Sequence, residues 1–312
     1  MTRLLVIKSG GAAAFAEWRD AFAEAAPGLG VALWGEAGAA AADYALVWDP
    51  EPGRLAAMPR LRCVFGAGAG VELVTRDPAF PRHLPLIRMT PPEAAARMAE
   101  FVAWAALHLL LDGRRMARQQ EARAWQEFPR RCAGQMRAGV MGLGVMGRRA
   151  AAALGGLGFP VAGWSRTPKR VEGVEGFAGE AGLGAFLART DLLVALLPAT
   201  EATRGLLAAP LLERLPRGAA LVNAGRGMHQ RLPDILAALD SGQLSGAVLD
   251  VFEEEPLPAD SPAWSHPGLT VTPHVASSPS RAERARFVAC QLARIERGEA
   301  PDAPLWNPEL GY

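Results

Sequence analysis

Gly139–Arg149 reads GVMGLGVMGRR, and this stretch decides the fold. It holds Gly142-x-Gly144-x-x-Gly147 after a short apolar run and before the helix-prone Arg148–Leu154. That order predicts a strand, a tight turn and a helix start. The first glycine permits the turn, the second lets a pyrophosphate approach the backbone, and the third lets helix and strand pack closely. The helix start, at Val145 and Met146, then offers unpaired N–H groups and a positive dipole end to phosphate. In a chain with 34 glycines the pattern also fits a plain tight turn. The next strand and its turn decide between the two.

Phe159–Trp164 (FPVAGW) reads as a second strand, and Ser165-Arg166-Thr167-Pro168-Lys169-Arg170 comes directly after it. A dinucleotide fold that prefers NAD carries an acidic residue about 20 residues beyond the glycines, on the ribose 2′-hydroxyl. Here a hydroxyl residue and three cations stand instead. They suit a 2′-phosphate. The sequence therefore predicts NADP(H) as the preferred cofactor, with NAD(H) second.

Composition narrows the class. The 312 residues suffice for two domains, and 50% hydrophobic with 21% charged residues is an ordinary globular mixture. A net charge of +1 makes no electrostatic case for nucleic acid or an anionic membrane as partner. Cys63, Cys132 and Cys290 are far apart and odd in number, with neither metal spacing nor a disulfide framework. They fit a reducing cytoplasm, and no metal set is read from the sequence. Met1–Ser9 lacks the build of a signal peptide, and Phe101–Leu111 is too short to span a bilayer.

Ahead of the glycine motif, Leu4–Ile7, Val31–Trp34, Tyr44–Trp48 and Arg62–Phe65 read as strands, with Phe15–Ala25 an amphipathic helix among them. Gly66–Gly70 (GAGAG) ends the last of these. It reads equally as a flexible turn or as a concave nest of N–H groups. After Pro91-Pro92, Ala94–Leu111 predicts a long helix, and Arg114–Glu127 a charged helical continuation. The helical segment Gln119–Gln135, with Trp125, is a candidate interface or a plain surface helix. The expectation is α/β throughout: two Rossmann-like domains, one flavodoxin-like and one NAD(P)-binding, with parallel sheets. The first covers residues 1–95 and the second residues 96–279.

Strands in the second domain continue through Asp191–Leu197, Ala219–Val222, Gly246–Val251 and Leu269–Thr272, with Thr203 opening a helix after the first of these. Their trailing loops gather at one edge of a parallel sheet. Three side chains there suit hydride chemistry on a 2-keto acid. Arg226, between Gly225 and Gly227, presents a planar fork for carboxylate and carbonyl oxygens. His274 suits the proton donor to a new alkoxide, because an unperturbed imidazole titrates near physiological pH. Glu255 beside the ring would favour the imidazolium and fix its orientation. Singly, each also reads as a surface or turn residue; their placement at successive strand ends carries the weight.

Leu221–Gly227 (LVNAGRG), Leu249–Pro258 (LDVFEEEPLP) and Val271–Ala276 (VTPHVA) resemble the signatures of the D-isomer-specific 2-hydroxyacid dehydrogenases. Ala42–Trp48 (ADYALVW), Gly68–Glu72 (GAGVE), Gly158–Thr167 (GFPVAGWSRT), Leu236–Gly242 (LAALDSG) and the closing Gly311-Tyr312 extend the resemblance along the chain. It implies Arg226, Glu255 and His274 as the catalytic set and NADPH-dependent reduction of small 2-keto acids, glyoxylate and hydroxypyruvate among them. It implies cofactor contacts at Pro198, Thr203, Ala224, Gly225 and Asp250, and substrate contacts at Trp48, Ala69 and Gly70. It further implies a homodimer, a first domain completed by residues 280–312 (with Ser280–Arg297 a final helix), and a cleft between the domains. Glu72, Asn223-Ala224-Gly225 and Val275–Pro279 depart from the family pattern and bear on substrate preference. The glycine motif with Ser165-Arg166-Thr167 also resembles the β-hydroxyacid dehydrogenases, but 141 residues precede Gly142 where that group opens on its motif. A non-catalytic nucleotide sensor on the same fold is disfavoured by the intact Arg226, Glu255 and His274 set.

Overall fold

The computed structural model describes residues 3–312. In order, the elements are β1 (Leu4–Lys8), α1 (Gly11–Ala25), β2 (Gly30–Leu33), β3 (Tyr44–Val47), β4 (Cys63–Gly66), α2 (Glu72–Thr75), β5 (Leu86–Ile87), α3 (Pro92–Leu110) and α4 (Gly113–Glu121). Next come β6 (Ala138–Met141), α5 (Val145–Gly156), β7 (Val161–Ser165), β8 (Glu175–Ala178), α6 (Gly179–Ala188), β9 (Leu192–Ala195) and α7 (Ala209–Leu212). The chain ends through β10 (Ala219–Asn223), α8 (Leu232–Asp240), β11 (Leu244–Leu249), β12 (Leu269–Val271) and α9 (Arg281–Glu296). They form two compact units, residues 1–93 with 279–312 and residues 94–278.

The first unit is a parallel sheet of order β2-β1-β3-β4-β5. Its central strands are apolar on both faces, as a doubly covered parallel sheet requires. Leu5, Ile7, Tyr44, Leu46 and Phe65 face one core with Trp18 and Phe22 of α1 and Val288 and Leu292 of α9. Val6, Ala45, Val47 and Val64 face the other, under Leu55, Val74 and Phe80. Helix α9 starts where Ser280 and Glu283 cap each other: the Ser280 hydroxyl accepts the Glu283 N–H, and the Glu283 carboxylate accepts the Ser280 N–H at 2.7 Å.

The second unit is a seven-stranded parallel sheet of order β12-β11-β10-β9-β6-β7-β8. Chain order reverses between β6 and β9, the switch point at which such sheets bind ligands beyond their carboxyl ends. Helices α3 and α5 cover one face through Met98, Val102, Ala150 and Leu154. Helices α6, α7 and α8 cover the other through Phe186, Leu187, Leu212 and Ile235. At the opposite, amino ends of β6 and β9, the Asp191 carboxylate accepts the N–H, Nε and Nη2 of Arg137 at 2.9, 2.8 and 2.9 Å. The Arg137 hydrogen bonds hold the Asp191 carboxyl below its ordinary value of 3.8 despite partial burial.

Three local expectations change. The charged helix after α3 stops at Glu121, because Arg123 is left-handed (φ 52°) and the Ala124 N–H returns to the Gln119 carbonyl. Residues 124–132 carry no regular structure, and Trp125 is 95% exposed. Thr203 ends a one-turn 3-10 segment, Glu201–Thr203, instead of opening a helix. Strand β8 and helix α6, glycine-rich and poorly patterned, were not legible in the sequence. Among the described residues, no single helix is long and apolar enough to cross a membrane.

Candidate active site

The glycine loop joins β6 to α5 at the switch point. Gly142 is left-handed (φ 107°), and a Cβ on it would lie 2.5 Å from the Leu196 carbonyl oxygen, beyond the neighbouring strand β9. A Cβ on Gly147 would lie 1.8 Å from the Gly142 carbonyl oxygen, so no other residue lets helix and turn meet this closely. Around Gly144 there is open space within 4 Å. Gly144 caps α5 without a side chain, which leaves the first-turn N–H groups of Val145, Met146 and Gly147 facing outward for an anion.

The basic turn after β7 converges on the same loop. Lys169 Nζ donates to the Leu143 carbonyl at 3.3 Å, and Arg148 Nε donates to the same oxygen at 3.2 Å. Burial, then Arg148 and Arg166, push the Lys169 ammonium below its ordinary value. A cluster of cations that disfavour one another fits a phosphate dianion. Arg148 was missed in the sequence. Its signal was present: a cation in the first turn of a helix stands at the wrong end of the dipole. Arg166 and Thr167 are exposed. Ser165 is buried and its hydroxyl donates to the Thr167 carbonyl at 2.8 Å, so it shapes the turn. These residues fit an NADP(H) nucleotide: a cradle for the pyrophosphate and cations for the 2′-phosphate.

The loops after β9, β10, β11 and β12 are joined by buried polar side chains. Asn223, fully buried at the end of β10, accepts the Gly225 N–H and donates to the Arg226 carbonyl (3.1 Å) and Gln230 Oε1 (2.8 Å). Gln230 in turn donates to the Val251 carbonyl at 2.9 Å. Gly227 lies against the next loop so closely that a Cβ would be 1.9 Å from the Phe252 carbonyl carbon. Buried Ala224 and Gly225 follow Asn223 and lead into Arg226.

The Asp250 carboxylate is engaged by the chain: Thr272 Oγ1 (2.6 Å) and the N–H groups of Val275 and Ala276 (2.9 Å each) donate to it. Its carbonyl accepts the His274 N–H at 2.8 Å. This clamp holds His274 in the left-handed region (φ 54°), which a histidine does not adopt cheaply. The imidazole is thereby brought to Glu255: Nδ1 lies 2.7 Å from Oε2, while Oε1 accepts the Phe252 N–H at 2.8 Å. Among the described residues, no group engages Nε2 of His274. Thr203 Oγ1 donates to the Pro198 carbonyl at 2.8 Å and so shapes the loop after β9.

In the first unit, Trp48 after β3 and Gly66–Gly70 after β4 lie together at the carboxyl edge. A Cβ on Gly68 would be 2.7 Å from the Trp48 ring, and one on Gly66 would be 2.7 Å from Val71. None of the glycines in Gly66–Gly70 is left-handed, so Gly66 and Gly68 are required by close packing and not by a nest conformation. The N–H groups of Ala69 and Gly70 have no acceptor among the described residues, and Arg88 Nε donates to the Ala69 carbonyl at 2.8 Å.

Comparison with known proteins identifies the family. The profile of the D-isomer specific 2-hydroxyacid dehydrogenase NAD binding domain matches residues 103–276. A D-isomer specific 2-hydroxyacid dehydrogenase from Xanthobacter autotrophicus Py2, solved with NADPH and MES, is 38% identical over 100% of both chains, with a TM-score of 0.94. The NADPH-dependent glyoxylate/hydroxypyruvate reductase of Sinorhizobium meliloti, solved with NADP and sulfate, is 38% identical over 99% of this chain and 100% of its own, TM-score 0.92. A 2-hydroxyacid dehydrogenase of Rhizobium etli CFN 42, described as probable and solved with NADP, HEPES and L(+)-tartaric acid, is 34% identical over 99% of both chains, TM-score 0.92. The glycine loop, the Arg226 loop and the His274–Glu255 pair thus sit in a chain that belongs to the D-isomer-specific 2-hydroxyacid dehydrogenase family.

Proposed function

We propose that this chain reduces small 2-keto acids with NADPH, taking glyoxylate to glycolate and hydroxypyruvate to D-glycerate. The observation that carries the reading is the His274–Glu255 pair, with Nδ1 held at 2.7 Å and Nε2 left to a substrate. Bound NADPH would supply the hydride. The residues of the chain do the rest. The Arg226 guanidinium takes the substrate carboxylate and polarises the ketone. As the ketone oxygen becomes an alkoxide, it takes the proton from His274 Nε2. Glu255 holds the ring in place and balances its charge in the protonated form. Ala69 and Gly70 offer N–H groups to the carboxylate, and Trp48 limits the size of the substrate; on this reading the first unit is the substrate domain.

The cation cluster of Arg148, Arg166 and Lys169 supports NADPH over NADH. A reductase 38% identical over nearly the whole chain supports glyoxylate and hydroxypyruvate as substrates. A homodimer is supported by the family and by exposed Trp104, Met116 and Trp125; light scattering would then give twice the 33.0 kDa chain mass. Three unpaired cysteines support a reducing cytoplasm. The test is initial-rate oxidation of NADPH and NADH with glyoxylate, hydroxypyruvate and pyruvate. Turnover of the first two with NADPH is expected. Turnover only with NADH, or only with another keto acid, would overturn the assignment of cofactor or substrate.

A further inference from the structure

His229 is fully buried, outside the reacting set, and comes one turn after Arg226. Its two ring nitrogens face partners of opposite kind. Nδ1 lies 3.2 Å from the backbone nitrogen of Arg226, which can only donate. Nε2 lies 3.1 Å from the carbonyl oxygen of Pro198, which can only accept. The partners therefore fix the neutral ring with its proton on Nε2. Pro198 lies in the loop beyond β9, beside the glycine loop at the switch point; Arg226 lies in the loop beyond β10. One imidazole bridges the loop that lines the nucleotide and the loop that carries the substrate arginine.

We propose that His229 is a positioning residue that aims Arg226 and seats the Pro198 loop, each through its own nitrogen. The inference rests on Arg226 as the keto-acid ligand. The two roles are separable, because the two carboxamide side chains each reproduce one nitrogen. Asparagine places an acceptor where Nδ1 stands and nothing at Nε2. Glutamine places a donor near Nε2 and no acceptor at Nδ1.

The test compares His229→Asn and His229→Gln with the unaltered enzyme. Three quantities are read: NADPH Kd by fluorescence titration, keto-acid KM, and hydrogen exchange at the Arg226 amide. For His229→Gln the expected result is a rise in keto-acid KM of about tenfold, the scale of one buried hydrogen bond, with NADPH Kd unchanged and the Arg226 amide exchanging faster. For His229→Asn it is a rise of about tenfold in NADPH Kd, with KM and Arg226 exchange unchanged. A purely space-filling histidine would move all three quantities together in both variants, and that result overturns the proposal. So does no change in either. If the unaltered enzyme reduces no keto acid, the proposed function fails. The exchange rate and NADPH Kd still decide whether His229 braces both loops.

Discussion

The Glu255 carboxylate is shared between His274 and its own loop, with Oε2 2.7 Å from the His274 ring and Oε1 on the Phe252 N–H. The imidazole is thus aimed by a group that is itself fixed, and 35% side-chain exposure at Glu255 leaves the pair open to solvent. We expect His274→Ala to lower kcat/KM about 100-fold or more, and Glu255→Gln about 10- to 100-fold, the usual scale for acid–base groups. NADPH Kd should not move in either. Near-normal turnover in a folded His274→Ala protein would remove it from the reaction.

Asp250 acts on His274 through the backbone. Asn at this position loses one acceptor and presents a donor to N–H groups, so the left-handed turn at His274 is no longer clamped. Asp250→Asn should lower kcat about tenfold and stability by about 1–3 kcal/mol, the cost of unsatisfied buried donors. Unaltered kcat alongside reduced stability would show that the clamp does not reach the ring.

Arg148 and Lys169 at the Leu143 carbonyl, with Arg166 close enough to act on Lys169, should discriminate between the two nucleotides. Arg166→Asp and Arg148→Ala are each expected to weaken NADPH by about tenfold, the scale of a lost charge-assisted hydrogen bond, while NADH stays within about twofold. Parallel fluorescence titrations measure this. An equal loss for both nucleotides would mean that the turn serves the loop's shape and not the 2′-phosphate.

Asp191 tests stability apart from activity, since it lies at the amino end of the sheet, away from the loops. Its carboxyl is held below 3.8 by Arg137, so its contribution is complete above that value and is lost as pH falls through the lower folded one. Asp191→Asn should cost about 1–2 kcal/mol at neutral pH and flatten the acid limb of the unfolding curve. Two parallel curves, native and variant, down to low pH would contradict this.

Gly227→Ala should disable the enzyme without unfolding it. The added methyl would meet the Phe252 carbonyl, so the Arg226 loop must lift by about an ångström, a displacement that costs on the order of 100-fold in rate. Rates and NADPH Kd measured together decide the matter, with only the rate expected to change.

Much of this was legible in the chain itself. Val6, Ala45 and Val64 sit inside apolar runs that only a doubly covered parallel strand tolerates, and Gly142, Gly144 and Gly147 stand at the spacing that a phosphate-binding turn demands. The placement of Arg226, Glu255 and His274 on strand-end loops was legible because each comes after a recognisable strand. His229 and Asp250 were harder to read. Their work includes hydrogen bonds to groups 25 to 31 residues away, Val275 and Pro198, and local pattern is silent on such partners. Strand β8 escaped because Glu175–Ala178 lies at the sheet's edge, where only one neighbour enforces apolar character. The charged helix was overextended because composition favours helix up to Glu127, whereas the turn at Arg123 is set by tertiary structure.

Helix α9 is a buried wall of the first unit's core, yet it is made from the last tenth or so of the chain. On the ribosome, residues 1–93 emerge before α9 and must wait, with Trp18, Phe22 and Leu46 uncovered on that face, until the second unit has been synthesised in full. Nascent chains arrested before Ser280 should therefore resist protease over residues 94–278 and be cut within residues 1–93; protection of both would contradict this. Residues 1–93 are then made before the second unit and become native after it, because the helix that closes their core is translated later.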